Sequence, residues 1–403
     1  MRPLEGVKVV EVAMWAFVPA AGGMLADMGA SVLKIEPPEG DPIRGLTIGG
    51  VAPGEQGFIL SWENYNRGKR SMTLDLRQPA GVEVLYKLIC DADVFLTNLL
   101  PRARRRMKID IDDLRARNPR LIYAVGSGSG RRGPEADKGG FDSITYWHRG
   151  GISSSLTPPT EDYPIGMPCG AFGDCTSAAM LAGAVAAAIA QRAMTGHASV
   201  VDASLLNTAM WSMQRAVTQA TLSGVDRLPT GGRAAMPNPL VNNYRTADGR
   251  VVALCMLQSQ RYWPGLCGVI GRPELAADPR FATEEDRTRN MEACLAELDA
   301  VFATKPLAHW REALSRQEGQ WDVVQHVGEL KDDPQVNAND YLQLVDYGDG
   351  RALKMVSTPM QFDGAALPVR PAPGCGAHSD EVLGELGYDE AAIIDLKVAN
   401  VVQ

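Results

Sequence analysis

Asp174 stands where a reactive carboxylate can be built. It follows the turn-like stretch Gly166-Met167-Pro168-Cys169-Gly170-Ala171-Phe172-Gly173 and opens an alanine-rich helix that begins at Cys175. A carboxylate held partly out of water, with its attack geometry fixed, is a nucleophile for a thioester or anhydride carbon. Gly166, Gly170 and Gly173 crowd its approach. Glycines there let a substrate reach the backbone and leave N–H groups free for a developing oxyanion. A plainer role, capping the helix N-terminus, suits an aspartate before an apolar run equally well.

Cations come next. Arg102, Arg104 and Arg105, with Arg106 beside them, follow Asn98-Leu99-Leu100-Pro101 directly after a predicted strand. Loops at the carboxyl ends of parallel strands are where doubly wound proteins bind ligands, and guanidinium groups there clamp phosphates in pairs. Lys34 on the second strand, Arg44 beyond Asp41-Pro42, and Lys138 within GPEADKGG complete the candidate phosphate-binding set. Solvated helix and loop charges are the competing explanation for each. The five histidines are scattered singly and the cysteines lack ligand spacing, so no metal site is expected. No GxSxG elbow, Walker loop or HExxH is present.

The elements that must position these groups read as α/β. Strands are predicted at 7–13, 31–37, 93–98 and 121–127, and helices at 19–30, 79–90 and 111–119. This alternation implies a doubly wound parallel sheet. The first loop, Met14-Trp15-Ala16-Phe17-Val18-Pro19, is bulky and apolar, and Gly22 and Gly23 fall inside the helix. That is no dinucleotide fingerprint, which needs glycines directly after the strand. Residues 1–217 are expected to form a large α/β domain, completed by a return segment at 330–403. A smaller α+β domain is expected at 225–325, with linkers at 218–224 and 326–329. Its hairpin, YRTADGRVVALCML, turns at Asp248-Gly249. Trp263, Trp310 and Trp321 are expected on the helices that follow.

The chain has 403 residues, 45% hydrophobic and 22% charged, which is ordinary for a packed globular protein. A formal charge of −8 argues against a nucleic-acid partner. Its longest apolar run, Ala178 to Ala190, is mostly alanine and short for a bilayer. With no charged-then-apolar leader at the N-terminus, the expectation is a cytoplasmic protein without a membrane partner.

Several stretches together carry a family resemblance. They are LEGVKVVEVA at the start, LADMGASVLKIEPPEGDPIR at 25–44, NRGKRSMTLDL at 66–76 and DVFLTN with Pro101. LRARNPRLIYAVGSGSGRRGP at 114–134, GFDSITYWHRGG at 140–151, YRTADGRVV at 244–252 and HSDEVLGELGY at 378–388 complete the set. In their order and spacing the chain resembles the class III coenzyme A transferases, the formyl-CoA and carnitine CoA-transferase-like group of CaiB/BaiF type. The resemblance implies that Asp174 is the catalytic carboxylate, attacking an acyl-CoA to give a mixed anhydride and then an aspartyl-CoA thioester. It implies coenzyme A as substrate, with no permanently bound cofactor, its phosphates near Lys34, Arg44, the 102–106 cluster and Lys138. An interlocked homodimer is implied as well.

Two departures from the family pattern stand out. A first-loop glutamine is replaced by Ala16 amid Met14, Trp15 and Phe17, and the glycine-rich lid of the small domain reads LQSQRYW. Trp15, Phe17, Trp147 and Met167 then suggest an apolar acyl pocket for an aromatic, branched or steroid-like acid. The related alpha-methylacyl-CoA racemases carry a histidine before an aspartate; here the pair is Phe141-Asp142, and phenylalanine exchanges no proton. A racemase and a non-catalytic CoA-binding protein are the alternatives.

Overall fold

A computed structural model of the chain describes residues 2–45, 57–229 and 232–403. The expected large- and small-domain ranges also include residues 1, 46–56 and 230–231, which lie outside the described residues. The chain divides into two compact units, one of Met1–Leu228 with Pro334–Gln403 and one of Pro229–Asp333.

The larger unit begins with β1 (Lys8–Val12), α1 (Phe17–Asp27), β2 (Ser31–Glu36), α2 (Leu60–Asn66), β3 (Arg70–Thr73), α3 (Pro79–Cys90) and β4 (Val94–Thr97). It continues through α4 (Pro101–Met107), α5 (Ile111–Arg115), β5 (Ile122–Ser127), a π-helical turn at Asp142–Arg149, α6 (Ile152–Leu156) and α7 (Phe172–Thr195). β6 (Val200–Ser204), α8 (Leu205–Ser212) and α9 (Gln214–Ser223) follow. The six strands form a parallel sheet in the order β3-β2-β1-β4-β5-β6. The strand order reverses between β1 and β4, and such a switch point opens a crevice at the carboxyl edge.

Strand alternation distributes the core to both faces. Val9, Val94, Leu96, Ile122 and Ala124 pack against α1 and α7 on one side. Val10, Val12, Phe95, Tyr123 and Val125 pack with Val84, Leu85 and Ile89 of α3 on the other. A sheet covered on both faces needs near-continuous apolar strands, as seen here. Every residue of α1 is buried. Gly22 is required there, since a methyl group at that position would lie 1.9 Å from Oε2 of the buried Glu11.

α7 spans 24 residues and is long and apolar enough to cross a membrane by length and composition, with mean hydropathy 1.5. The apolar run Ala178 to Ala190, short for a bilayer in the sequence, is part of this longer helix. Its alanine face, with Ala178, Leu181, Ala182 and Val185 fully buried, is seated in the core against α1.

The expected linker at 218–224 is a second correction. QRAVTQATLS holds no glycine or proline, so the helix α9 continues until Gly224 ends it at φ 65°. The segment expected as a linker at 326–329 begins a 3-10 turn at Val327–Asp332.

In the smaller unit, β7 (Val241–Arg245), β8 (Val251–Cys255) and β9 (Trp321–Val323) form an antiparallel sheet. It is packed by α10 (Ser259–Val269), α11 (Glu284–Arg289), α12 (Met291–Phe302) and α13 (Leu307–Leu314) around Tyr244, Trp263, Phe302 and Trp310. Trp321 lies on β9 rather than on a helix. LQSQRYW leads into α10 and places Trp263 in this core, so it is helix rather than a glycine lid.

The return segment carries α14 (Pro334–Ala338), β10 (Leu342–Asp346), β11 (Ala352–Val356), β12 (Gln361–Phe362), β13 (Ala365–Ala366), α15 (Ser379–Glu385) and α16 (Glu390–Val398). It runs along the outer edge of β3. The Ser71 amide donates to His378 Nδ1 at 3.2 Å, and Thr73 Oγ1 donates to the carbonyl of Gln403 at 2.8 Å. An otherwise open sheet edge is thereby covered.

Candidate active site

A cavity of about 690 Å³ opens at the switch point of the sheet. The loop after β1 supplies Trp15, the start of α1 supplies Phe17, and the segment after β4 supplies Asn98 and the first turns of α4. The long loop after β5 adds Arg131, Lys138 and Phe141, and α7 contributes Asp174.

Asp174 is not the helix cap. Ala171 holds that position in a left-handed conformation at φ 60°, and no side chain caps the helix. Asp174 lies in the first turn, 9% exposed, with its residue in the cavity wall. Burial first, and then the charge of Asp142, raise its carboxyl from the ordinary aspartate range to about 7. A helix N-terminus favours an anion, so burial here outweighs the local backbone.

Asp142 is the second carboxylate of the site. It opens the π-helical turn, is 7% exposed, and accepts the Ser143 amide at 2.7 Å. Burial pushes its carboxyl up, and the amides of Ser143, Gly173 and Ala171 oppose that shift. Its Oδ2 makes no hydrogen bond. The glycine-rich approach to Asp174 thus directs the Ala171 and Gly173 amides toward Asp142, where the sequence suggested donors free for substrate. Beside Asp174, Cys175 is an exposed residue whose thiol is nonetheless pushed up to about 11, chiefly by desolvation, and meets the Tyr65 hydroxyl.

The cations predicted from sequence divide. Lys34 is a correction: its ammonium is wholly buried, paired with Glu11 at 3.1 Å and Asp41 at 2.9 Å, and donates to the Ala13 carbonyl at 2.8 Å. Burial pulls its pKa down, but Glu11, Asp41 and Glu36 more than offset this and it rises. A strand residue pointing into the sheet's core cannot reach a phosphate. Arg44 is likewise committed, with Nε and Nη2 donating to Glu36 at 2.7 and 2.8 Å and the guanidinium 3.3 Å from the Trp62 ring centre. Arg104 borders the cavity, yet it is 3% exposed and bonded to the Leu99 carbonyl and Asp110. Arg105 points away, 3.8 Å from Asp137, and takes no part in the lining. Arg102 and Lys138 do line the cavity.

Arg106 and Arg131 also line it. The signal for Arg106 was its spacing: four residues beyond Arg102, it shares that residue's face of α4. Arg131 follows β5 in the Gly-rich loop, again at a strand's carboxyl end. Among the apolar candidates, Trp15 and Phe17 reach the cavity, whereas Trp147 is buried and donates its indole N–H to the Ile165 carbonyl at 2.8 Å. Met167 packs against the core. His148 bonds Ser153 at 3.0 Å, and among the described residues no histidine lines the cavity. No group of three or more metal-ligating side chains converges among the described residues either.

A buried carboxylate and four accessible cations lining one cavity at the switch point of a doubly wound sheet define an α/β protein with a cationic crevice at its carboxyl edge. Residues 4–379 match the model of CoA-transferase family III, and the chain belongs to that family. It is 34% identical over 403 residues to the (R)-2-hydroxy-4-methylpentanoate CoA-transferase of Clostridioides difficile, covering 99% of each chain. It is 29% identical to the cinnamoyl-CoA:phenyllactate CoA-transferase of Clostridium sporogenes, covering 98% of this chain and 95% of that one. The crystal structure of a CaiB/BaiF family protein from Brucella suis superposes with a TM-score of 0.81 at 28% identity, over 95% of this chain and 99% of that one. The protein is accordingly a class III acyl-CoA:carboxylate CoA-transferase.

Proposed function

We propose that the protein moves coenzyme A from an acyl-CoA to a free carboxylic acid through covalent intermediates on Asp174. The observation that carries this reading is the Asp174 carboxylate itself, desolvated in the wall of a cation-lined cavity. A carboxylate stripped of water attacks readily, and the thioester's energy is kept in the covalent link.

Asp174 adds through one carboxylate oxygen to the thioester carbonyl carbon; the C–S bond breaks and CoA departs as thiolate. The thiolate then attacks the Asp174 carbonyl of the mixed anhydride, expelling the first acid as a carboxylate and leaving an aspartyl-CoA thioester. The second carboxylate attacks that thioester, giving a new anhydride and thiolate, and the thiolate takes the new acyl group as Asp174 is released. Arg102, Arg106, Arg131 and Lys138 hold the CoA phosphates. The acids carry bulky apolar chains, a reading supported by Trp15, Phe17, Phe141 and Leu205 in the lining and by the substrates named for the two relatives above.

The test is intact mass after incubation with an acyl-CoA and hydroxylamine. Hydroxamate formation at Asp174, lost in Asp174→Ala together with transfer, is the expected result. Full transfer by Asp174→Ala sinks the mechanism. Exchange of the α-hydrogen with deuterated solvent, without an acceptor acid, would mark a racemase instead.

The same reading has the chain acting as a homodimer in the cytoplasm. Trp211 is 60% and Leu222 86% exposed on the consecutive helices α8 and α9, and α9 has no buried residue. Apolar side chains so placed are covered economically by a second copy. Sedimentation at micromolar concentration giving a monomer would refute the dimer, and recovery in a membrane fraction would refute the location.

A further inference from the structure

Trp15 adopts φ 70°, the left-handed region that bulky residues avoid. Such a conformation persists only where its surroundings over-determine it, and it marks sites where strain serves placement. The restraints are explicit here. Asn98 clamps the preceding residue, accepting the Met14 amide at 3.0 Å and donating to its carbonyl at 2.6 Å. Asp41 Oδ1 accepts the Trp15 amide at 3.1 Å and the Ile43 amide at 3.0 Å. Asp41 is in turn held from behind by Lys34 on Oδ2 at 2.9 Å, within a buried charge group that includes Glu11 and Lys69.

The strain places the indole edge-on to Phe141, with ring centres 5.7 Å apart and planes at 84°. Both rings line the cavity that contains Asp174. Two links put the pair beside the nucleophile: Phe141 directly precedes Asp142, which acts electrostatically on Asp174, and Trp15 packs on the cluster that takes in Ala171, the first cap of α7. Phe141 nevertheless remains 52% exposed. An acyl chain too short to reach it leaves that ring in water, whereas an aryl or branched substituent covers it and can stack edge to face.

Resting on the CoA-transfer reading, we propose that Trp15 and Phe141 form the wall that selects acyl groups with an aryl or branched-alkyl substituent over short ones. Asp41, backed by Lys34, is the positioning residue that holds Trp15 in that wall.

The experiment measures kcat/KM for 3-phenylpropanoyl-CoA and for acetyl-CoA with one acceptor acid. Trp15→Ala and Phe141→Ala each lower the ratio of the two values by about tenfold or more. Asp41→Ala lowers it as Trp15→Ala does, while Asp41→Asn, which keeps the accepting oxygen, retains most of it. A merely structural role for Asp41 would move both donors together and leave the ratio alone. Phe141 is exposed enough for its variant to fold, which thermal unfolding verifies. A ratio unchanged within roughly twofold in both aromatic variants overturns the wall, and identical ratios in Asp41→Asn and Asp41→Ala overturn the positioning role. Failure of the unmodified protein to transfer CoA at all defeats the transferase reading alone. The wall is then read from binding of the S-(3-phenylpropyl) and S-ethyl thioethers of CoA: a preference for the bulky thioether that Trp15→Ala erases supports it, and equal affinities overturn it.

Discussion

The ring of Tyr146 occupies the space that any side chain on residue 173 would need: a methyl group there would fall 2.3 Å from its Cγ. Gly173 immediately precedes Asp174, and Tyr146 sits one turn beyond Asp142 on the π-helical turn. The contact therefore joins the two elements that carry the carboxylates. The glycine is there for the ring, rather than to admit substrate to the backbone.

Gly173→Ala should accordingly cost about 1–3 kcal/mol of stability by overpacking and should also lower kcat. Denaturant unfolding and steady-state kinetics measure the two effects. Truncating Tyr146 to leucine in the same chain should restore part of both, because the obstructing atoms are removed. Additive losses in the double variant would show that the contact does not couple them.

The pH profile of kcat/KM should rise about tenfold per pH unit and level off near 7, where burial and Asp142 place the Asp174 carboxyl. Only the ionised form attacks. Asp142→Asn removes a neighbouring negative charge, so the limb should move to lower pH. A limb unmoved in that variant would leave Asp142 without electrostatic influence.

Asp174 should also make the fold less stable as the pH rises. Its folded carboxyl titrates near 7 against 3.8 for the ordinary group, so between those values the folded chain keeps a proton that the unfolded chain has lost. Stability falls through that window and stays low above it. Asp174→Asn should be the more stable protein at about pH 8, by on the order of 4 kcal/mol, with the advantage gone near pH 3.5. Chemical unfolding at both pH values decides it.

Arg106→Ala and Arg131→Ala should raise KM for the CoA thioester by roughly tenfold each, the magnitude of a lost charge-assisted contact. Arg105→Ala, facing Asp137 outside the cavity, should not. Lys34→Met should instead unfold at lower denaturant, by about 3–5 kcal/mol, since it strands Asp41 without a counter-charge and leaves Glu11 to Lys69 alone. Raised KM without lost stability in Lys34→Met would return Lys34 to the phosphate site.

Much was legible in the linear chain because it depends on local period and order. Apolar strands alternating with amphipathic helices announced the parallel sheet, and the glycine-rich approach singled out Asp174 before any contact was known. The motif order pointed to the family, and the missing histidine before Asp142 separated this chain from a two-base racemase. Residues 218–224 read as a linker because the glycine and proline farther along mask a helical run, α9, that holds neither.

Tertiary structure alone decided what each charge does. Lys34, Arg44, Arg102 and Arg131 are the same kind of residue in a sequence, but their meaning depends on which carboxylates the fold brings within about 3 Å. Glu11 and Asp41 bury Lys34, Glu36 captures Arg44, and Arg102 and Arg131 are left facing the cavity. Pairing across the sheet is a long-range event with no local signature. The same is true of Asp174: its sequence context marks a carboxylate at a helix start, but its pKa depends on burial and on Asp142, which only the packed fold brings beside it.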